Sequence, residues 1–339
     1  MKNILSVLFL LSASSLFSQS RDTTFQSVFL VDTLVTLTID MQHTDLTIQV
    51  GPSDSIAIIN HIKVLPNNPQ VPFAGVYVSA EQDDDQNVMA SISISEDIQP
   101  HNEFESICTI SVPSGTHLTI DNRFGIIHLG NGLGQLSASL DYVNFYADSL
   151  SFSQEHQIVA HYSTLHIAQA SILKLKGNNI NFKGQTFDEL QTRTQFSMIE
   201  FQKGHDLEAH SYTDRFIVDE LSTLMLSGEK VNFRLNTLED FLQCELNHGY
   251  VQINKVEADF SELNIANKNT RLKLAINEKS RFTVNADMRY CELKQEEIHL
   301  QEIISPEGKL YSGWYGKEGS TNSKLSLISS YGDVEISIE

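Results

Sequence analysis

Asp83-Asp84-Asp85 is a run of three carboxylates, and calcium is the chemistry it suggests, because a hard divalent cation takes several oxygen ligands. The run lacks EF-hand spacing and stands in no glycine-aspartate nonapeptide array, so it reads as a solvated loop. His161 and His166 lie five apart, as do His205 and His210. On a strand an odd separation sends two rings to opposite faces, so neither pair converges on one metal. There is no HExxH and no CxxC. Cys108, Cys244 and Cys291 are far apart and odd in number, and Cys244 alternates with Leu242 and Leu246 as a small core residue. Gly130 to Gly134, GNGLG, has the look of a phosphate-cradling turn. That chemistry needs a helix immediately after it, whereas the following LSASLDYVNF alternates like a strand. No catalytic, cofactor-binding or metal-binding residue is assigned, and no cofactor is expected.

The elements that carry these residues repeat. Phe124 is followed three and five places on by Ile127 and Leu129, Tyr142 by Phe145 and Ala147, Tyr162 by Leu165 and Ile167, Phe196 by Ile199 and Phe201, and Tyr331 by Val334 and Ile336. Weaker copies keep the spacing without the aromatic, anchored at Gly177, Gly228, His248 and Asn269; copies at Tyr212 and Tyr290 are degraded. From Phe124 the anchors are spaced 18, 20, 15 and 19 apart, then 32 over two turns, then 20, 21 and 21. Apolar alternation of period two means strands, and a period near 20 is the signature of a solenoid. Each repeat reads as strand, turn, strand, turn, whose inward residues form a core only when repeats stack.

Proline and glycine agree with that reading. Six of seven prolines lie between Pro52 and Pro113, and none falls from residue 114 to 305, as expected where every central strand must donate its N–H. Small residues after the anchor (Gly125, Ser163, Ser197, Gly332) fit a tight corner. The expected fold is all-β, a parallel β-solenoid (β-helix or β-roll) with about 20 residues per rung. Residues 21–113 form an irregular N-terminal β region or cap, including a copy at His43, Leu46 and Ile48. Repeats fill 114–339, interrupted by an inserted loop at 305–322.

Residues 1–20 are a separate object. Lys2 precedes the apolar ILSVLFLL and a small, polar SASSLFSQS, the pattern of a secretory signal peptide cut after Ser18 or Ser20. No later stretch approaches the apolar length of a membrane span. The chain is therefore expected to be exported, to the periplasm, the cell surface or the medium. Across 339 residues, 43 Asp plus Glu face 23 Lys plus Arg, a formal charge of −20 that argues against nucleic acid as a partner.

The aromatic-Gly-x-apolar-x-apolar phrase, the period and the closing SYGDVEI resemble the bacterial putative-adhesin family and the related auto-transporter adhesin head, or GIN, domain. The resemblance covers roughly residues 40 to 339. It implies a secreted β-solenoid and brings no catalytic residues.

A sugar-cleaving solenoid is the enzyme alternative. It would gather carboxylates on one outer face of successive rungs. The row four places after the anchors runs His128, Tyr146, His166, Asn181, Glu200, Asn232, and neither it nor the row two places on gathers such a set. The favoured function is a non-catalytic, adhesin-like interaction protein binding a surface glycan or protein; a purely structural envelope component is a third reading. The candidate contact is the segment from Lys309 to Gly319, where Tyr311, Trp314 (the sole tryptophan) and Tyr315 stand among glycines. It reads either as a loop offering flat rings with polar edges or as a cap over the end of the core.

Overall fold

The computed structural model describes residues 21–31, 35–64, 76–94, 104–150, 154–316 and 323–339. The expected signal peptide lies outside them. The described residues are all-β, with no helix, in a mixed parallel and antiparallel sheet. The chain divides into two compact units, residues 1–166 and 167–339.

The first unit holds β1 (Arg21–Leu30), β2 (Thr36–Gln42), β3 (Asp45–Val50), β4 (Ser55–Val64), β5 (Val76–Gln82), β6 (Val88–Ile94), β7 (Phe104–Val112), β8 (His117–Leu129), β9 (Leu136–Ser149) and β10 (Glu155–His161). Parallel ladders run β2–β8–β9–β10 and β3–β8–β9, in register: Ile39 faces Ile120, which faces Ala138. The outer edges of β2 and β3 are covered by β6 and β7, each parallel to its neighbour. Beyond them the pairing turns antiparallel, β5 on β6 and β1–β4–β7 in series.

β11 (Thr164–Asn178) crosses the division. The second unit continues with β12 (Asn181–Gln195), β13 (Met198–Tyr212), β14 (Arg215–Val256), β15 (Glu262–Ile276), β16 (Phe282–Arg289), β17 (Leu293–Lys294), β18 (His299–Ser305), β19 (Gly308–Tyr315), β20 (Ser323–Ser330) and β21 (Val334–Ile338). β12, β13, β14 and β15 pair in parallel, with Phe182 on Ile199 and Ile199 on Phe216. The next layer is not the next in sequence. β20 lies between β15 and β16, parallel to both, and β21 lies between β15 and β17. The far edge of β16 is taken by β19, antiparallel, which pairs in turn with β18.

One local device generates the repeat. In β8 the buried residues are Leu118, Ile120 and Asn122, then Ile127 and Leu129. The phase of alternation flips at Phe124, whose φ is +60°. A residue in the left-handed region turns the strand, so both limbs keep one face on the core. The same conformation recurs at His43, Tyr142, Tyr162, Asn179, Phe196, Thr213, Lys230, His248, Asn269, Tyr290 and Tyr331. Three residues beyond each, the side chain is fully buried (Leu46, Ile127, Phe145, Leu165, Phe182, Ile199, Phe216, Phe233, Val251, Leu272, Val334), except that Leu293 is half-buried. The left-handed conformation costs an ordinary residue about 1–2 kcal/mol, which the stacked core offsets.

Three anchors read from the sequence move. The corners are Asn179 rather than Gly177, Thr213 rather than Tyr212, and Lys230 rather than Gly228. From Asn179 the corner spacing is then a constant 17 through Phe196, Thr213 and Lys230. Gly177 (φ +136°) and Gly228 (φ +149°) lie in a different conformation two residues earlier. The shift brings Lys183 opposite Glu200 in the outward row in place of Asn181.

The residue after the corner meets the backbone of a neighbouring repeat. A Cβ on Gly125 would stand 2.3 Å from the Thr44 carbonyl oxygen, and one on Gly332 would stand 2.2 Å from that of Thr270. Where this position is polar, the side chain is used instead. Ser163 accepts the Val143 N–H at 3.0 Å, and Ser197 accepts the Ile180 N–H at 3.1 Å.

Candidate contact surface

The segment expected as a loop around Tyr311 is the strand β19, and only residues 317–322 of it fall outside the described chain. β18 and β19 form a hairpin closed by Pro306 and Glu307, with Ser305 opposite Gly308. Alternation along β19 decides where its aromatics go. Tyr311 and Tyr315 stand opposite Ala286 and Phe282, on the face that continues the core; Trp314 stands opposite Thr283, on the outward face. The three rings therefore do not converge on one surface.

Their surroundings differ accordingly. Tyr315 packs on Phe282 with ring centres 5.6 Å apart and donates its hydroxyl to the Glu278 carbonyl at 3.1 Å. It also lines a shallow hollow with Lys279, Arg281, Glu297 and His299. Trp314 lies 6.0 Å from the His299 ring across the hairpin. Burial, and then the Glu302 carboxylate beside it, push the Tyr311 phenol up from its ordinary value. All three aromatics are half-buried. The exposed apolar residues of the hairpin are ones the sequence did not single out: Ile303 at 63 %, Ile304 at 76 % and Leu310 at 43 %. Two adjacent isoleucines on a strand face opposite ways, so both faces of β18 present aliphatic surface. In the sequence, EIIS before a Pro-Glu-Gly turn carried that signal.

The first unit carries aromatic columns. His43, Phe124, Tyr142 and Tyr162 stack in succession, with centres 4.4, 5.2 and 4.9 Å apart and planes within 12°. Four residues on, His128, Tyr146 and His166 form a second column at 4.9 and 5.1 Å. Because neighbouring rings occupy each other's faces, the columns offer mainly edges to solvent. They are explained by cross-strand stacking at the ladder spacing.

Other sequence candidates take structural roles. Asp83 uses one carboxylate oxygen to accept the N–H groups of Asp85 at 2.9 Å and Asn87 at 2.8 Å, so it shapes a turn. His205 lies 3.1 Å from Asp206. His210 bonds Ser227 through Nδ1 at 2.6 Å and Glu208 through Nε2 at 3.0 Å. That chain has the members of a hydrolytic triad, but the serine and carboxylate hold the opposite ring nitrogens, and His210 is open to solvent. Cys108 and Cys244 are fully buried, and burial pushes both thiols up to about 12. Among the described residues no group of three or more His, Cys, Asp or Glu side chains is placed to hold a metal, and no helix is long and apolar enough to cross a membrane.

No family model matches the chain, and no curated protein does. Solved structures do show a likeness. One is a putative cell adhesion protein from Clostridium sporogenes, 9% identical, covering 94% of this chain and 100% of its own, with a TM-score of 0.20. A putative adhesin from Parabacteroides distasonis is 11% identical over 93% of this chain and 97% of its own, with a TM-score of 0.31. Another, from Parabacteroides merdae, is 11% identical over 92% and 95%, with a TM-score of 0.26.

Proposed function

We propose that this chain is an exported, non-catalytic, adhesin-like interaction protein whose parallel ladders wind as a β-solenoid in each unit. Its partner is a surface glycan or protein. The β18–β19 hairpin, with Tyr311, Trp314 and Tyr315, is its contact element. The observation that carries this is the exposure of Ile303 and Ile304 on a hairpin appended to the edge of the last layer. Large exposed aliphatic surface beside half-buried aromatics is the composition of a protein contact. The Met1 to Ser20 pattern supports export.

The test is retention of the purified mature chain on cells of the producing bacterium and on a glycan array. Changing Tyr311, Trp314 and Tyr315 together to serine should abolish retention. Because Tyr315 packs on Phe282, Trp314→Ser combined with Ile303→Ser is the cleaner variant. It should lose retention with an unchanged melting temperature. Retention that survives both variants sinks the assignment of the contact to this hairpin.

A further inference from the structure

Among the described residues, β18 pairs with β19 alone. The His299 carbonyl oxygen lies against Gly313, which fixes the phase of the ladder. His299, Gln301, Ile303 and Ser305 turn their backbone groups toward β19. In an antiparallel pair the residues between them turn theirs away. The N–H and C=O groups of Leu300, Glu302 and Ile304 therefore face the open edge. Such a row is a template for an added strand, and protein edges are ordinarily blunted against it. Here the edge is flanked by Ile303 and Ile304, on opposite faces and both largely exposed.

Charge selects the occupant. Glu296, Glu297, Glu302 and Glu307 are all exposed around this strand. Against them stand Lys309, held by Glu302 at 3.2 Å, and Lys279 and Arg281, which line the hollow beside Glu297 and His299; the chain as a whole carries −20.

We propose that β18 accepts, as an added strand, an extended peptide segment in which apolar residues alternate with Lys or Arg. Main-chain bonds to Leu300, Glu302 and Ile304 supply the pairing, as in other edge-addition complexes. The apolar residues cover Ile303 and Ile304, and the basic ones meet the glutamates. A second copy of this chain fits the edge poorly, because it brings the same glutamates against themselves. This inference rests on the hairpin being the contact element.

Binding of labelled peptides to the purified chain, followed by fluorescence anisotropy, tests it. A peptide of alternating lysine and valine should bind at least about tenfold tighter than one of alternating glutamate and valine. It should show the same margin over alternating lysine and glycine, which has the charge without the strand preference. Glu302→Pro removes an outward N–H and leaves the bonds to β19, so it should weaken binding by about tenfold or more. Ile304→Lys, at an exposed position, should weaken it likewise and guards against misfolding of the proline variant. Equal binding of the acidic peptide, or binding unchanged by both substitutions, overturns the proposal. So does a dimer in sedimentation that either substitution dissociates, since a second copy then holds the edge. Retention on cells, run in parallel, separates this inference from the functional reading. If Glu302→Pro loses the peptide but keeps retention, the edge is confirmed and is not the adhesive contact. If retention is real and no peptide binds, this inference alone fails.

Discussion

Asp214 Oδ1 accepts the backbone N–H of Ser197 at 2.7 Å, and its other oxygen accepts the Thr194 hydroxyl at 2.8 Å. Asp214 is 2 % exposed and occupies the position after a corner, where the preceding repeat has Ser197 and the following one Val231. A charge has been placed where backbone must be tied to backbone. Burial raises its pKa, and the hydrogen bonds it accepts only partly oppose that.

The sign of the pH effect follows. With a raised native pKa the folded state binds the proton more tightly than the unfolded chain does. The group's contribution is therefore fully present below the ordinary carboxylate value of about 4 and declines as pH rises through the native value. Asp214→Asn keeps an acceptor for the Ser197 N–H and cannot ionise. The wild type should lose denaturant resistance relative to this variant as pH rises from about 4 through the native value. Parallel urea midpoints across that range would contradict the assignment.

The corners also predict a steric contrast between two glycines with positive φ. Gly125→Ala drives a methyl to 2.3 Å from the Thr44 oxygen and should cost about 3 kcal/mol or more. Gly132→Ala meets only side chains, Val50 at 3.4 Å and Ser114 at 3.6 Å, and should cost about 1 kcal/mol, the backbone strain alone. Thermal melts of the two variants check it; equal losses would mean that crowding is not what the corner demands.

Ile199 is fully buried between Phe182 and Phe216, whereas His166 is half-buried and stacked on Tyr146. Ile199→Asp should cost several kcal/mol and leave little folded protein, and His166→Asp should cost about 1 kcal/mol, the loss of one stacking partner. Circular dichroism melts distinguish them.

Thiol chemistry should report the burial. Cys291 is half-buried, with its sulfur 3.3 Å from the Ser329 carbonyl, while Cys108 and Cys244 are sealed and their thiols raised. A maleimide under native conditions should modify Cys291 first, and all three only in denaturant. Early modification of Cys244, read by peptide mass, would show that the second unit's core opens.

The sequence made the strands legible because alternation is a local signal, and the fully buried residues at Ile127, Phe145, Leu165, Ile199, Val251, Leu272 and Val334 follow from it directly. It misplaced corners at Thr213 and Lys230 because residue type does not advertise a left-handed conformation there, and at Asn179, a type that adopts it readily, because Gly177 drew the anchor instead. The hairpin was hidden for a related reason. Glycines at 308, 313 and 316 suggest a loop, yet Gly308 and Gly313 lie within β19 where neighbouring carbonyls leave no room for a Cβ. That Tyr311 and Trp314 face opposite ways needs the strand assignment first. The place of β20 between β15 and β16 depends on a choice of partner across the chain, and no local pattern encodes such a choice.

That placement governs the order in which the second unit can be assembled. β16 leaves the ribosome well before β20 does, yet β20 is the layer that joins β16 to β15. Until it arrives, two unsatisfied edges of matching pattern face one another across a gap, free to close on each other in the wrong register or to capture a foreign strand. The unit is thus built like an arch with its keystone set last. A chaperone that shields the edge of β15 during synthesis would guard its weakest moment.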